Sequence, residues 1–133
     1  MFTVQKTLEV AISHSLTLPY DSPCERDHGH NLIITVFCQA DELNENNMVI
    51  DFTEIKRVVH GRLDHQCLNR LEGIGFEWVN SHNFTPEGGD PPIKKLRNPT
   101  AERLAKWICM QIESCYRVDV QESTGNVATY EED

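Results

Sequence analysis

Apolar and polar positions alternate in two blocks along the first forty residues. From Phe2 to His14 the even positions read Phe2, Val4, Lys6, Leu8, Val10, Ile12 and His14, with Thr3, Gln5, Thr7, Glu9 and Ser13 between them. A period of two with one apolar face marks a strand half-buried in a sheet, because successive side chains leave opposite faces. Lys6 is the one break in that face. After a loop holding Pro19, Asp21 and Pro23, the pattern returns as His28, His30, Leu32, Ile34, Val36 and Cys38. If the two strands pair with these faces together, His14, His28 and His30 meet at one end of the sheet.

Two helical periods follow. Asp51 is a capping residue with Glu54 at the capping-box position, and Phe52, Ile55, Val58, Val59 and Leu63 recur at helical spacing. Asn98-Pro99 predicts a second start, a cap residue followed by proline at the first helical position. Ala101, Leu104, Ala105, Ile108, Ile112 and Cys115 then form an apolar stripe reaching to about Cys115. Tyr116, Val118, Val120 and Glu122 alternate with Arg117, Asp119 and Gln121 as a third strand. The turn Ser123-Thr124-Gly125-Asn126 leads into a short last one, Val127 to Tyr130. Strand, strand, helix, helix, strand, strand predicts an α+β domain with an antiparallel sheet. Between the helices, Glu72 to Arg97 holds four glycines and three prolines and shows no period. So long a connection is either a surface excursion or a functional one, as a substrate lid or a subunit contact. His82 within it reads as a surface histidine.

Composition narrows the class. The 133 residues form one domain, with an apolar content of 39% and a charged content of 25% that suit an ordinary globular protein. No apolar run is long enough to span a membrane. The five cysteines, Cys24, Cys38, Cys67, Cys109 and Cys115, are an odd number without a C-x-x-C pair, which predicts free thiols and a cytoplasmic location. A net charge of −9 argues against a nucleic-acid binder. A small anionic substrate remains compatible with a local basic cluster, either Arg26 or Lys94, Lys95 and Arg97.

Neutral imidazole is a preferred nitrogen donor for zinc, and three such donors leave one tetrahedral position open. His14, His28 and His30 are therefore read as a metal site. Cys24, four residues before His28, reaches the same region as a fourth ligand or as a base. Asp64-His65, at the exit of the first helix, is either a proton carrier or a helix-end pair. Glu122 occupies the next slot on an apolar strand face. A carboxylate there is costly unless a ligand engages it or the strand end is solvated.

Taken together, these residues resemble the 6-pyruvoyl-tetrahydropterin synthase family. The resemblance rests on His14, Cys24-x-x-x-His28-Gly29-His30, Met48-Val49-Ile50-Asp51-Phe52, Leu63-Asp64-His65-x-x-Leu68-Asn69, Asn98-Pro99-Thr100-Ala101-Glu102 and Gln121-Glu122-Ser123, in that order. It covers nearly the whole chain apart from the Glu72 to Arg97 excursion. The short gap between Cys24 and His28 is similar to that of the 6-carboxy-tetrahydropterin synthases of queuosine biosynthesis. The resemblance implies the tunnelling fold, a four-stranded antiparallel sheet with two helices on one side. It also implies trimers that close a barrel, two of which stack into a homohexamer with active sites at subunit boundaries. The implied substrate is 7,8-dihydroneopterin triphosphate and the implied cofactor zinc, held by His14, His28 and His30. Cys24 would be the proton-abstracting thiolate, and Asp64 and His65 of a neighbouring subunit would complete the relay. Glu122 would grip the pterin, assisted by Thr100 and Glu102, with Arg26 near the substrate. The implied reaction releases acetaldehyde and triphosphate. Two alternatives are a pyruvoyl-type enzyme, which eliminates triphosphate only, and a silent zinc- or pterin-binding module.

Overall fold

A computed structural model describes residues 1–133. In chain order its elements are β1 (Phe2–His14), β2 (His28–Ala40), α1 (Phe52–Leu63), β3 (Gln66–Cys67), β4 (Phe76–Val79), β5 (Ile93–Leu96), α2 (Ala101–Gln111), β6 (Cys115–Ser123) and β7 (Asn126–Glu131). β1 and β2 pair antiparallel over their full length, from Phe2 opposite Ala40 to His14 opposite His28. This register puts the two apolar faces side by side. Leu8, Val10, Ile12, Leu32, Ile34, Val36 and Cys38 are buried under Ile55, Val58, Val59 and Leu63 of α1 and Leu104, Ala105 and Ile108 of α2. Both helices thus cover one face of the sheet. The Lys6 defect is accommodated because its ammonium lies 5.8 Å from the centroid of the Phe52 ring.

The sheet has five strands, in the order β3-β1-β2-β6-β7, where four were expected. The addition is β3, which runs parallel to β1 with Gln66 opposite Ile12 and Cys67 opposite Ser13. It exists because the residues before it dock on the outer edge of β1. Ala11 accepts a hydrogen bond from the His65 amide at 2.6 Å and donates its own to Asp64 Oδ1 at 3.0 Å. Two residues are too few for any alternation to reveal.

Helix ends also differ from expectation in instructive ways. Asp51 caps α1 by accepting from the Thr53 amide, but Glu54 does not close a capping box; it pairs with Arg57 one turn on. α2 starts after Thr100, whose side chain accepts from the Arg103 amide. Asn98 is occupied elsewhere, in hydrogen bonds to Thr17. The helix ends at Gln111, and Cys115 belongs to β6. An irregularity between Phe37 and Cys38 sets Cys115 opposite Cys38, so Cys115, Val118 and Val120 face the core and Tyr116 does not.

Within the 72–97 excursion, β4 and β5 form an antiparallel hairpin. Arg103 of α2 fastens it, donating to the Ile74 carbonyl at 2.8 Å and to Glu77 at 2.6 Å, while Arg97 reaches the other Glu77 oxygen at 3.0 Å. Those two guanidinium groups, Arg103 before Arg97, hold the Glu77 carboxyl below its usual range. Gly75 is obligatory at the hairpin's foot, since a Cβ there would lie 2.4 Å from the Asn69 backbone. His82 is exposed in the loop between the two strands. No helix is long and apolar enough to cross a membrane.

Candidate active site

The register of β1 and β2 delivers the three histidines to one end of the sheet. Their ring centroids lie 4.6 Å (His14–His28), 5.1 Å (His14–His30) and 4.9 Å (His28–His30) apart. Each offers one nitrogen, and these nitrogens all lie within 4.8 Å of one another. Two rings are oriented by backbone carbonyls: His14 Nδ1 lies 2.7 Å from the Pro99 carbonyl and His28 Nδ1 2.7 Å from that of Arg26. A carbonyl can only accept, so in the neutral rings Nδ1 carries the proton and Nε2 is left with its lone pair. Burial lowers the pKa of His14, and the neighbouring His28 and His30 push the same way against the opposing pull of Pro99 and Glu122. A neutral imidazole with its distal nitrogen free is what a metal ligand requires. The donor set therefore fits zinc, with three nitrogen ligands and an open position.

Beside the triad opens a cavity of about 520 Å³ lined by His14, Leu16, Pro23, Cys24, His28, His30, Thr100, Ala101, Glu102 and Glu122. Cys24 sits in a single helical turn, Pro23–Glu25, capped by Ser22, whose hydroxyl accepts from the Cys24 amide at 3.2 Å. The Leu16 amide donates to the Cys24 carbonyl at 2.7 Å, tying this turn to the segment that leaves β1. Thr100 and Glu102 arrive with the first turn of α2. Glu122 continues the face of Val118 and Val120 and sits at a bulge. The β6–β7 register steps from Gln121 opposite Val127 to Ser123 opposite Asn126, which leaves Glu122 as the extra residue. It is half-buried and lines the cavity, where periodicity alone left it either engaged or solvated.

Other residues singled out in the sequence lie elsewhere. Arg26 lines an adjoining depression with Asp21, Ser22, Pro23 and Glu25, and its carbonyl orients His28. Lys94 and Lys95 are on the hairpin, where Lys94 lies 4.4 Å from the Phe76 ring centroid, and Arg97 is engaged by Glu77. Those three do not line the histidine cavity. Asp64 and His65 do not line it either. Their side chains pair at 3.0 Å on the outer edge of β1, with His65 81% exposed and in a left-handed conformation at φ 62°. Sequence reasoning assigned none of Leu16, Pro23 and Ala101 to the cavity. None carries a polar side chain, and only their neighbours gave a signal.

The fold and the cavity define a class: an α+β enzyme domain with a three-histidine site at the end of its sheet. The model of the 6-pyruvoyl tetrahydropterin synthase family matches residues 3–133, and the chain belongs to that family. Its function is accordingly of the tetrahydropterin synthase type. The chain is 29% identical to the 6-carboxy-5,6,7,8-tetrahydropterin synthase of Bacillus subtilis (strain 168), a match over 97% of this chain and 84% of that one. It is 27% identical to the enzyme of the same name from Synechocystis, over 98% and 93% of the two chains. Among solved structures, the 6-pyruvoyl tetrahydropterin synthase of Caenorhabditis elegans shares the fold with a TM-score of 0.66 at 18% identity, covering 99% of this chain and 96% of that one.

Proposed function

We propose that the chain is a zinc-dependent lyase that converts 7,8-dihydroneopterin triphosphate and water to 6-carboxy-5,6,7,8-tetrahydropterin, acetaldehyde and triphosphate. The observation that carries this reading is the placement of a thiol and a half-buried carboxylate in the one cavity that also holds three converging imidazoles. His14, His28 and His30 would hold the metal. When bound, zinc supplies Lewis acidity toward the side-chain oxygens of the substrate.

The remaining roles are those that the family resemblance implies. Glu122 accepts from the ring N–H and exocyclic amine that a pterin presents side by side, a two-point contact to one carboxylate. Thr100 and Glu102 line the same cavity. Cys24, as the thiolate, takes the proton from the side-chain carbon next to the ring. Arg26, in the adjoining depression, takes the anionic tail. Asp64 and His65 serve the cavity of a neighbouring subunit and move the proton onward. The assembly that would bring them there is a homohexamer of two barrel-forming trimers. β1 beyond its short β3 contact and β7 on its outer side are sheet edges without a partner in the chain, and such edges are normally paired or blocked.

Incubation of the purified protein with the triphosphate substrate, with mass analysis of the pterin and an assay for acetaldehyde, tests the reading. One acetaldehyde per pterin is the expected result. A product that keeps its three-carbon side chain would make this a pyruvoyl-type enzyme. Pterin binding without turnover would make it a binding module.

A further inference from the structure

Cys24 lies on a single helical turn within the connection from β1 to β2. A connection of this kind is poor at holding a reactive atom to a fraction of an ångström unless it is tied down. The segment that follows β1, Ser15 to Thr17, is held in an uncommon way. The Ser15 amide donates to Asn69 Oδ1 at 2.9 Å, and Asn69 Nδ2 donates back to the Ser15 carbonyl at 2.9 Å. Two residues on, the Thr17 amide donates to Asn98 Oδ1 at 2.8 Å and Asn98 Nδ2 donates to the Thr17 carbonyl at 2.9 Å. Each carboxamide thus imitates a strand neighbour, meeting both backbone groups of one residue. Between these two residues, the Leu16 amide points the other way and holds the Cys24 carbonyl at 2.7 Å.

The origin of the two asparagines gives the arrangement a further meaning. Asn69 ends the chain's path into the 72–97 excursion, and Asn98 is the first residue after it. Gly75 lies against the Asn69 backbone, and the Arg97 amide donates to the Gly75 carbonyl at 2.9 Å. The feet of the excursion are therefore locked to one another, and each presents one clamp to the segment behind Cys24.

We infer that Asn69 and Asn98 are positioning residues that hold Ser15 and Thr17 so that Leu16 fixes the Cys24 turn at the cavity wall. This rests on the reading of Cys24 as the base, and the geometry of the clamp is independent of it. Loss of the clamp leaves the histidines, Thr100, Glu102 and Glu122 in place but lets the thiol wander, which lowers kcat and leaves affinity for the pterin nearly unchanged.

The test compares Asn69→Ala, Asn98→Ala and the double variant with Asn69→Asp, which keeps an acceptor for the Ser15 amide but loses the donor. Steady-state kinetics, zinc content and amide hydrogen exchange at Leu16 are read on each folded protein. The double variant should lose about a hundredfold in kcat, the scale of a misplacement near 1 Å, with KM within about twofold and faster exchange at Leu16. Asn69→Asp should fall between wild type and Asn69→Ala. Asn98 precedes Pro99, the carbonyl partner of His14, so Asn69→Ala at full zinc content is the cleaner reading. If the double variant does not fold, the two single variants and Asn69→Asp decide by the same criteria.

A kcat within about twofold of wild type, or a lost kcat with the Leu16 amide still protected, overturns the inference. A purely structural role would lower Tm and leave kcat and Leu16 exchange of the folded protein unchanged, and that result also overturns it. The separate control is Cys24→Ala. Undiminished turnover there would refute the role of Cys24, while Leu16 exchange in the asparagine variants would still report on the clamp.

Discussion

β1 carries acid–base side chains in two places, mounted in opposite ways. At its end, His14 is 3% exposed, hydrogen-bonded to Pro99 and packed against two further imidazoles. Three residues earlier, the outer edge of the strand at Ala11 holds Asp64 and His65, with the imidazole 81% exposed. Burial favours the uncharged ring in the first place, which suits a ligand. In the second, the ring has an acid partner and a fixed backbone but nothing around it to exclude water. A proton carrier left in bulk solvent gains little from its position. The contrast teaches that one chain encloses the imidazole cluster and leaves the Asp64–His65 pair open to solvent. That is what a site assembled from two subunits would require.

The strongest way to break this contrast is to disable each place separately. His28→Ala should remove most of the bound zinc, whereas Cys24→Ala should keep it and abolish turnover, as expected of a base that is not a ligand. His65→Ala should also abolish most turnover at full zinc content. Mixing Cys24→Ala and His65→Ala subunits through reversible dissociation should then restore part of the activity, because some hybrid sites would receive both intact groups. Zinc lost from Cys24→Ala would turn the centre into a four-ligand structural site. Absence of any rescue in demonstrably mixed oligomers would place the two groups in separate functions.

Much of the buried place was legible in the sequence, because alternation fixes which face a strand residue occupies. His14, His28 and His30 continue apolar faces, and one register brings them together. The exposed place was less legible. Asp64-His65 could be seen as a pair, but its dock on Ala11 leaves no trace in the sequence beyond β3, a strand too short to show a pattern. The start of α2 was misplaced for a related reason. Asn98 and Thr100 are both good caps, and only the structure shows that Asn98 spends its carboxamide on Thr17. For Glu122 the period gave the face, but whether the carboxylate met a cavity or open solvent depended on residues distant in the sequence. The hairpin stayed hidden because its strands are four residues each with a long loop between them. Its exposed apolar side chains, Trp78, Val79, Ile93 and Leu96, break the usual inside–outside alternation.

Glu122 sharpens the contrast at the next level of effect, since it belongs to the cavity yet does no proton work in this reading. Glu122→Gln keeps the shape and sets an amide donor against the donors of a pterin. The expected loss is about 2–4 kcal/mol of pterin binding, because a desolvated polar pair goes unmatched. Titration of a pterin ligand by fluorescence or calorimetry measures it. Zinc content and oligomer size should not change. Unaltered binding would mean that the carboxylate is a solvated strand end and that the pterin edge lies elsewhere.

The smallest effect concerns the exposed pair. The Ala11 amide, and after it His65, holds the Asp64 carboxyl below its ordinary value of 3.8. A lowered pKa means that the fold prefers the carboxylate. Its contribution to stability is therefore complete above the unfolded value and fades as pH falls through the lower folded value. Asp64→Asn keeps an oxygen for the Ala11 amide but loses the charge that faces His65. Urea midpoints should show wild type slightly more stable than Asp64→Asn from neutral pH down to about pH 5, with the gap closing below about pH 4. The exposure of the pair keeps this gap small. A gap that is absent at neutral pH, or that does not narrow below about pH 4, would mean that the carboxylate charge is not what ties Asp64 to the edge of β1.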